Sequence, residues 1–117
     1  MSPFEANVRI RGGVAIVDLR GQLDGKADDA LDGAYEAAIK GDPAAVLLNF
    51  EEVTYINSTG IALIVGVLAR ARKHELAMLV CGLSDHYQHI FEITRLADFM
   101  QFFPDEEAAV VGATPVV

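Results

Sequence analysis

The residues best suited to chemistry are two adjacent hydroxyls, Ser58 and Thr59, in the stretch Tyr55-Ile56-Asn57-Ser58-Thr59-Gly60. An apolar segment of strand character precedes them and a long apolar segment of helical character follows. Ser58 or Thr59 therefore falls at a helix N-terminus, where backbone N–H groups are unpaired and the helix dipole is positive. A phosphate on either hydroxyl would be held there without melting the helix. The plainer alternative is a helix cap, a role for which Ser and Thr are favoured.

Other chemistry-bearing residues are weaker candidates. Asp24, Glu51 and Glu52 could supply oxygen ligands to a metal, but nothing fixes their spacing. His86 and His89 are three apart on an expected helix and lack a third ligand. Cys81 ends an apolar run and reads as a buried, inert thiol. The chain has no Gly-x-Ser-x-Gly nucleophile elbow and no Gly-x-x-x-x-Gly-Lys phosphate loop. The expectation is a non-enzyme with no cofactor and no metal.

Composition narrows the partners. The chain has 117 residues, one modest domain's worth, and 52% are apolar, enough for a true core. Its net charge of −8 argues against nucleic acid or an anionic membrane as partner. A single cysteine excludes an internal disulfide and fits a reducing compartment. The first residues lack the charged-then-apolar pattern of a signal peptide. The longest apolar run, 60–69, is about half of what a membrane span needs. A cytoplasmic location is expected.

The hydroxyl pair must be positioned by the elements around it. Ala6, Val8 and Ile10 alternate with polar residues as a half-buried strand, Gly12-Gly13 marks a hairpin, and 14–19 is the returning strand. A helix is expected over about 26–40, with Ala27, Ala30, Leu31, Ala34, Tyr35 and Ala38 on its inner face. Gly41-Asp42-Pro43 breaks it. Residues 44–50 read as a central strand buried on both faces; Glu51-Glu52 interrupts, and 53–56 resumes. A second helix covers 58–74, closing on Arg70, Arg72, Lys73 and His74. Gly60 and Gly66 within it would permit close backbone approach. Residues 76–81 form another buried strand. Ser84 caps a third helix with Tyr87, Ile90 and Phe91 inward, 100–103 is a short last strand, and Pro104 opens a terminal helix through Asp105, Glu106 and Glu107. Residues 112–117 read as a loose tail.

The order β-β-α-β-α-β-α-β-α predicts an α/β fold: a mostly parallel sheet with an antiparallel N-terminal hairpin, packed by about four helices. Sites in such sheets gather beyond the carboxyl ends of the strands, which collects Asp24, Glu51, Glu52, Asn57 and Ser58 on one rim.

Three pieces resemble the STAS domain, and specifically the bacterial anti-sigma factor antagonists: Gly21-Gln22-Leu23-Asp24, Val46-Leu47-Leu48-Asn49-Phe50 with Val53, and Asn57-Ser58-Thr59-Gly60-Ile61. The resemblance spans nearly the whole chain and implies a single STAS-like domain over 1–117. It implies phosphorylation at Ser58, with Thr59 as second choice, on a partner-binding surface of Asp24, Asn57, Thr59, Gly60, Ile61 and Ala62. The implied partners are an anti-sigma serine kinase of the histidine-kinase-like ATPase type and a serine phosphatase. The unphosphorylated form would bind the kinase and free a sigma factor, and phosphorylation would end binding. The family's usual motif is Asp-Ser-(Ser/Thr)-Gly, so Asn57 stands where the family has an acid. Three alternatives remain: a partner switch with a non-sigma target, a structural STAS subunit whose hydroxyls only cap a helix, and a small catalytic or nucleotide-binding domain of flavodoxin-like outline.

Overall fold

The computed structural model describes residues 4–113. Five strands form one sheet in sequence order: β1 Phe4–Arg11, β2 Val14–Leu23, β3 Ala45–Ile56, β4 Ala77–Cys81 and β5 Gln101–Phe103. β1 and β2 are antiparallel, and β2 through β5 are parallel. Four helices accompany them: α1 Asp28–Ile39, α2 Ser58–Lys73, α3 Asp85–Ile93 and α4 Glu106–Ala113. This is the mixed sheet expected from the sequence.

The apolar run of β3 is continuous because the strand is covered on both faces. Val46, Leu48 and Phe50 enter the main core with Leu31, Tyr35, Ile64, Leu68 and Phe91 from the helices. Ala45 and Leu47 point the other way, into a smaller core with Val14, Ile16, Leu79, Cys81 and Val110. Helices α1, α2 and α3 thus cover one face and α4 the other. Arginines of β1 tie α4 down: Arg9 reaches Asp18 at 2.5 Å and Glu106 at 2.5 Å, and Arg11 reaches Glu106 at 2.8 Å and also Glu107.

Several boundaries differ from expectation. Glu51-Glu52 does not interrupt β3; the strand runs through them to Ile56. Irregularities opposite Leu19 and beside Gly21 absorb the extra β3 residues while pairing with β2 continues. Gly21 supports one of them at φ +97°. A short 3₁₀ turn, Gly25–Ala27, precedes α1, so the helix itself starts at Asp28. Ala30 is exposed because the buried stripe of α1 centres on Leu31, Ala34, Tyr35 and Ala38. Ile10 is 64% exposed although it alternates with polar neighbours, because the main core reached by Ala6 and Val8 on the same strand does not extend to it. Gly112 and Ala113 belong to α4 rather than to a tail, and 114–117 lie outside the described residues.

Candidate functional site

The carboxyl ends of β2 and β3 lie side by side, Leu23 opposite Ile56. The chain leaves β3 through Asn57 and enters α2 at Ser58. Three contacts hold this junction. Asn57 N donates to the Leu23 carbonyl at 3.3 Å. Ile56 N, at the strand's end, donates to Tyr87 Oη at 3.0 Å. Gly60 is buried against the Leu23 backbone so closely that a Cβ there would lie 2.0 Å from the Leu23 oxygen. Only glycine fits. Gly66 has no such role; nothing lies within 4 Å of the position its Cβ would take.

The cap of α2 is Asn57, not a hydroxyl. Its backbone is extended (φ −102°, ψ −178°), and its side-chain oxygen accepts from Gly60 N at 2.9 Å. Asn is as good a cap as Ser. Ser58 is therefore the first helical residue and Thr59 the second, and both side chains are exposed. Among the described residues neither hydroxyl has a hydrogen-bond partner, and neither do the backbone N–H groups of Ser58 and Thr59. The first turn thus presents a free nucleophilic hydroxyl beside unpaired N–H donors at the positive end of a 16-residue helix.

The loop after β2 forms the neighbouring wall. Asp24 caps the 3₁₀ turn, its carboxylate accepting from Lys26 N at 2.9 Å. Gly25 packs toward Thr59, since a Cβ on it would meet Thr59 Cγ2 at 3.3 Å. Asp24, Asn57, Ser58, Thr59 and Gly60 therefore share one rim of the sheet. Ile61 is half-buried and packs against the main core, while Ala62 is exposed on the next turn. Tyr87 and the Leu23 carbonyl were not singled out by sequence as parts of this junction. Tyr87 has a visible signal only in retrospect, lying three residues after the cap Ser84, which accepts from Tyr87 N at 3.3 Å.

The metal candidates stay apart. Glu52 pairs in register with Arg20, well before the strand end that carries Asp24, and Glu51 abuts Gly82 on β4's side. His86 and His89 are both exposed on α3, and His86 stands edge-on to the Tyr87 ring. Among the described residues no three His, Cys, Asp or Glu side chains gather as a metal site. Cys81 is buried in the smaller core, and burial together with nearby carboxylates pushes its thiol up to about 12. Among the described residues no helix is long and apolar enough to cross a membrane.

The fold recurs among known proteins. An anti-sigma-B factor antagonist of Staphylococcus aureus is 38% identical over 55 residues, 47% of this chain and 51% of that protein; the match spans about half the length of that relative. A crystal structure of an anti-sigma factor antagonist from Mycobacterium paratuberculosis superposes with a TM-score of 0.79 at 18% identity, covering 96% of this chain and 95% of that one. The Bacillus cell fate determinant SpoIIAA in its phosphorylated form gives a TM-score of 0.67 at 21% identity, covering 88% and 95%. Residues 5–109 match the STAS domain family model. Those residues include both walls of the rim, and the chain belongs to the STAS domain family.

Proposed function

We propose that the chain is an anti-sigma factor antagonist whose docking surface is switched by phosphorylation at Ser58. The observation that carries this reading is the free Ser58 hydroxyl at the start of α2, with the cap already supplied by Asn57. A residue that neither caps nor packs can be esterified without loss to the fold. The S. aureus relative is named for the same role, and SpoIIAA is known in a phosphorylated form.

The mechanism follows from charge and space. The unphosphorylated rim of Asp24, Asn57, Thr59, Gly60, Ile61 and Ala62 meets an anti-sigma serine kinase of the histidine-kinase-like ATPase type, and a sigma factor is freed. Transfer of a phosphoryl group to Ser58 adds about 1.5–2 negative charges to a contact surface. The new group occupies the space where the partner packs and meets a rim that already holds the Asp24 carboxylate. Binding ends while α2 stays intact, because the phosphate lies at the helix's positive end. A serine phosphatase resets the switch. In this reading the chain is one STAS domain in the cytoplasm, a kinase substrate and binding module rather than a catalyst, and it needs neither nucleic acid nor membrane.

A paired pull-down from host lysate tests the proposal, with Ser58→Ala and Ser58→Glu baits and mass spectrometry of what is retained. The expected result is an ATPase-type serine kinase held by the Ser58→Ala bait and lost from the Ser58→Glu bait. Equal retention on both baits, or no such kinase on either, overturns it in favour of a structural subunit.

A further inference from the structure

A second surface lies away from the Ser58 rim. A cleft of about 230 Å³ opens between the second half of α2 and the turn Leu96–Phe99. Val65, Leu68, Ala69 and Arg72 of α2 line one side, and Leu96 and Phe99 the other. Val65 is 43% exposed and Phe99 51%, so an apolar side chain on each wall of the cleft faces water. The cleft joins a neighbouring depression through Leu68, Arg72 and Phe99, which belong to both.

The charge at its edge is distinctive. The Arg72 guanidinium lies 5.1 Å from the centroid of the Phe99 ring. Among the described residues no carboxylate pairs with it. Nearby arginines are engaged: Arg70 with Asp32 and Glu36, and Arg95 with Asp98 at 2.8 Å. Asp98, the carboxylate on the same turn, thus pairs with Arg95 rather than with Arg72. Arg72 is stacked in place by an aromatic face but lacks an anion, and its planar fork matches a carboxylate.

We infer that this cleft binds an amphiphilic carboxylate, a medium-chain fatty-acid anion. Its alkyl chain lies between Val65, Leu68 and Leu96, and its carboxylate sits on Arg72. The apolar lining rejects a compact hydrophilic anion, which would lose hydration without gaining burial. A net charge of −8 repels anions in general, so the single charge of a fatty-acid carboxylate meets less repulsion than a polyanionic headgroup would, and Arg72 must supply the local attraction. The inference is independent of Ser58 chemistry, and either can fail without the other.

The test is an amide chemical-shift titration of the intact chain with decanoate, kept below its micelle-forming concentration, with decanol and decylammonium in parallel. Saturable shifts confined to 65–72 and 96–99 are expected with decanoate, with decanol weaker and decylammonium weakest. Arg72→Gln should weaken decanoate by about tenfold, the loss of one charge-assisted pair. Ala69→Leu should block the cleft and abolish the shifts. No saturable response to decanoate overturns the inference, as do equal responses to decylammonium or shifts spread over the whole chain. The comparison of the three ligands on the unmodified chain decides the matter even if a variant folds poorly. Shifts of these residues seen only with an added protein partner, and not with decanoate, would also overturn it.

Discussion

Gly60 and Leu23 are in backbone contact: a Cβ on Gly60 would fall 2.0 Å from the Leu23 carbonyl oxygen and 2.8 Å from its carbon. The helix that carries Ser58 is thereby pressed against the end of β2, and the Asp24 loop is set beside Thr59. Gly60→Ala must push these two segments apart. It should destabilise the fold by about 1–3 kcal/mol, the usual range for overpacking, and toward the upper end because the clash is with backbone. Urea unfolding followed by circular dichroism measures it, and a change below about 0.5 kcal/mol would mean that the contact relaxes freely.

Asn57 works through its oxygen, which Asp also has. Asn57→Asp should keep the cap on Gly60 N and match or slightly exceed the stability of the parent, since a negative charge suits the helix start. Asn57→Ala should cost about 1 kcal/mol. Phosphorylation of Ser58 by a cognate kinase should proceed at similar rates with Asn or Asp at position 57. A large gain with Asp would show that the acid serves the transfer reaction and not only the turn.

Acid should loosen α4. Asp18 is held below the usual carboxylate range chiefly by its hydrogen bonds from Arg9, with help from Asn49 and against the opposing effect of burial. Glu106 is likewise held low, first by Arg9 and then by Arg11. Their folded pKa values lie below the unfolded ones. Their stabilisation is therefore complete above about pH 5 and is lost as pH falls through the folded values. Stability measured against pH should show an acid limb that Arg9→Gln flattens. High salt should flatten it too, because Arg9 is partly exposed and its pairs are screened. An acid limb identical in the parent and Arg9→Gln would remove these pairs as its cause.

Cys81 should report the integrity of the smaller core. Its thiol is buried and pushed up to about 12, so the native chain at mildly alkaline pH should not react with a disulfide reagent, while the urea-unfolded chain should react at once. Removing the arginine ties to α4 should speed the native reaction. Immediate native reactivity would show that the helix α4 does not cover β4.

Much of the fold was written in local pattern. The hairpin followed from alternation and Gly12-Gly13, the central strand from an unbroken apolar run, and α2 from its period and its basic last turn. These signals are local because each depends on neighbours three or four residues away at most. The split at Glu51-Glu52 was misleading for the opposite reason: charged residues stay in a strand when the adjacent strand pairs through an irregularity, and the one beside Glu51 lies opposite Leu19 of β2, far away in sequence.

The candidate site divides the same way. The sequence alone placed Ser58, Thr59 and Asn57 at the mouth of a helix and Asp24 on the same rim, because parallel strands bring their carboxyl ends together. Which of the three residues caps the helix was undecidable locally, since Asn, Ser and Thr are all good caps. Tertiary structure decided it: Asn57 N is drawn to the Leu23 carbonyl and Ile56 N to Tyr87, which fixes the strand's exit so that the Asn57 side chain faces Gly60 N. That choice leaves the Ser58 hydroxyl free, and it rests on partners that only folding brings within hydrogen-bond reach.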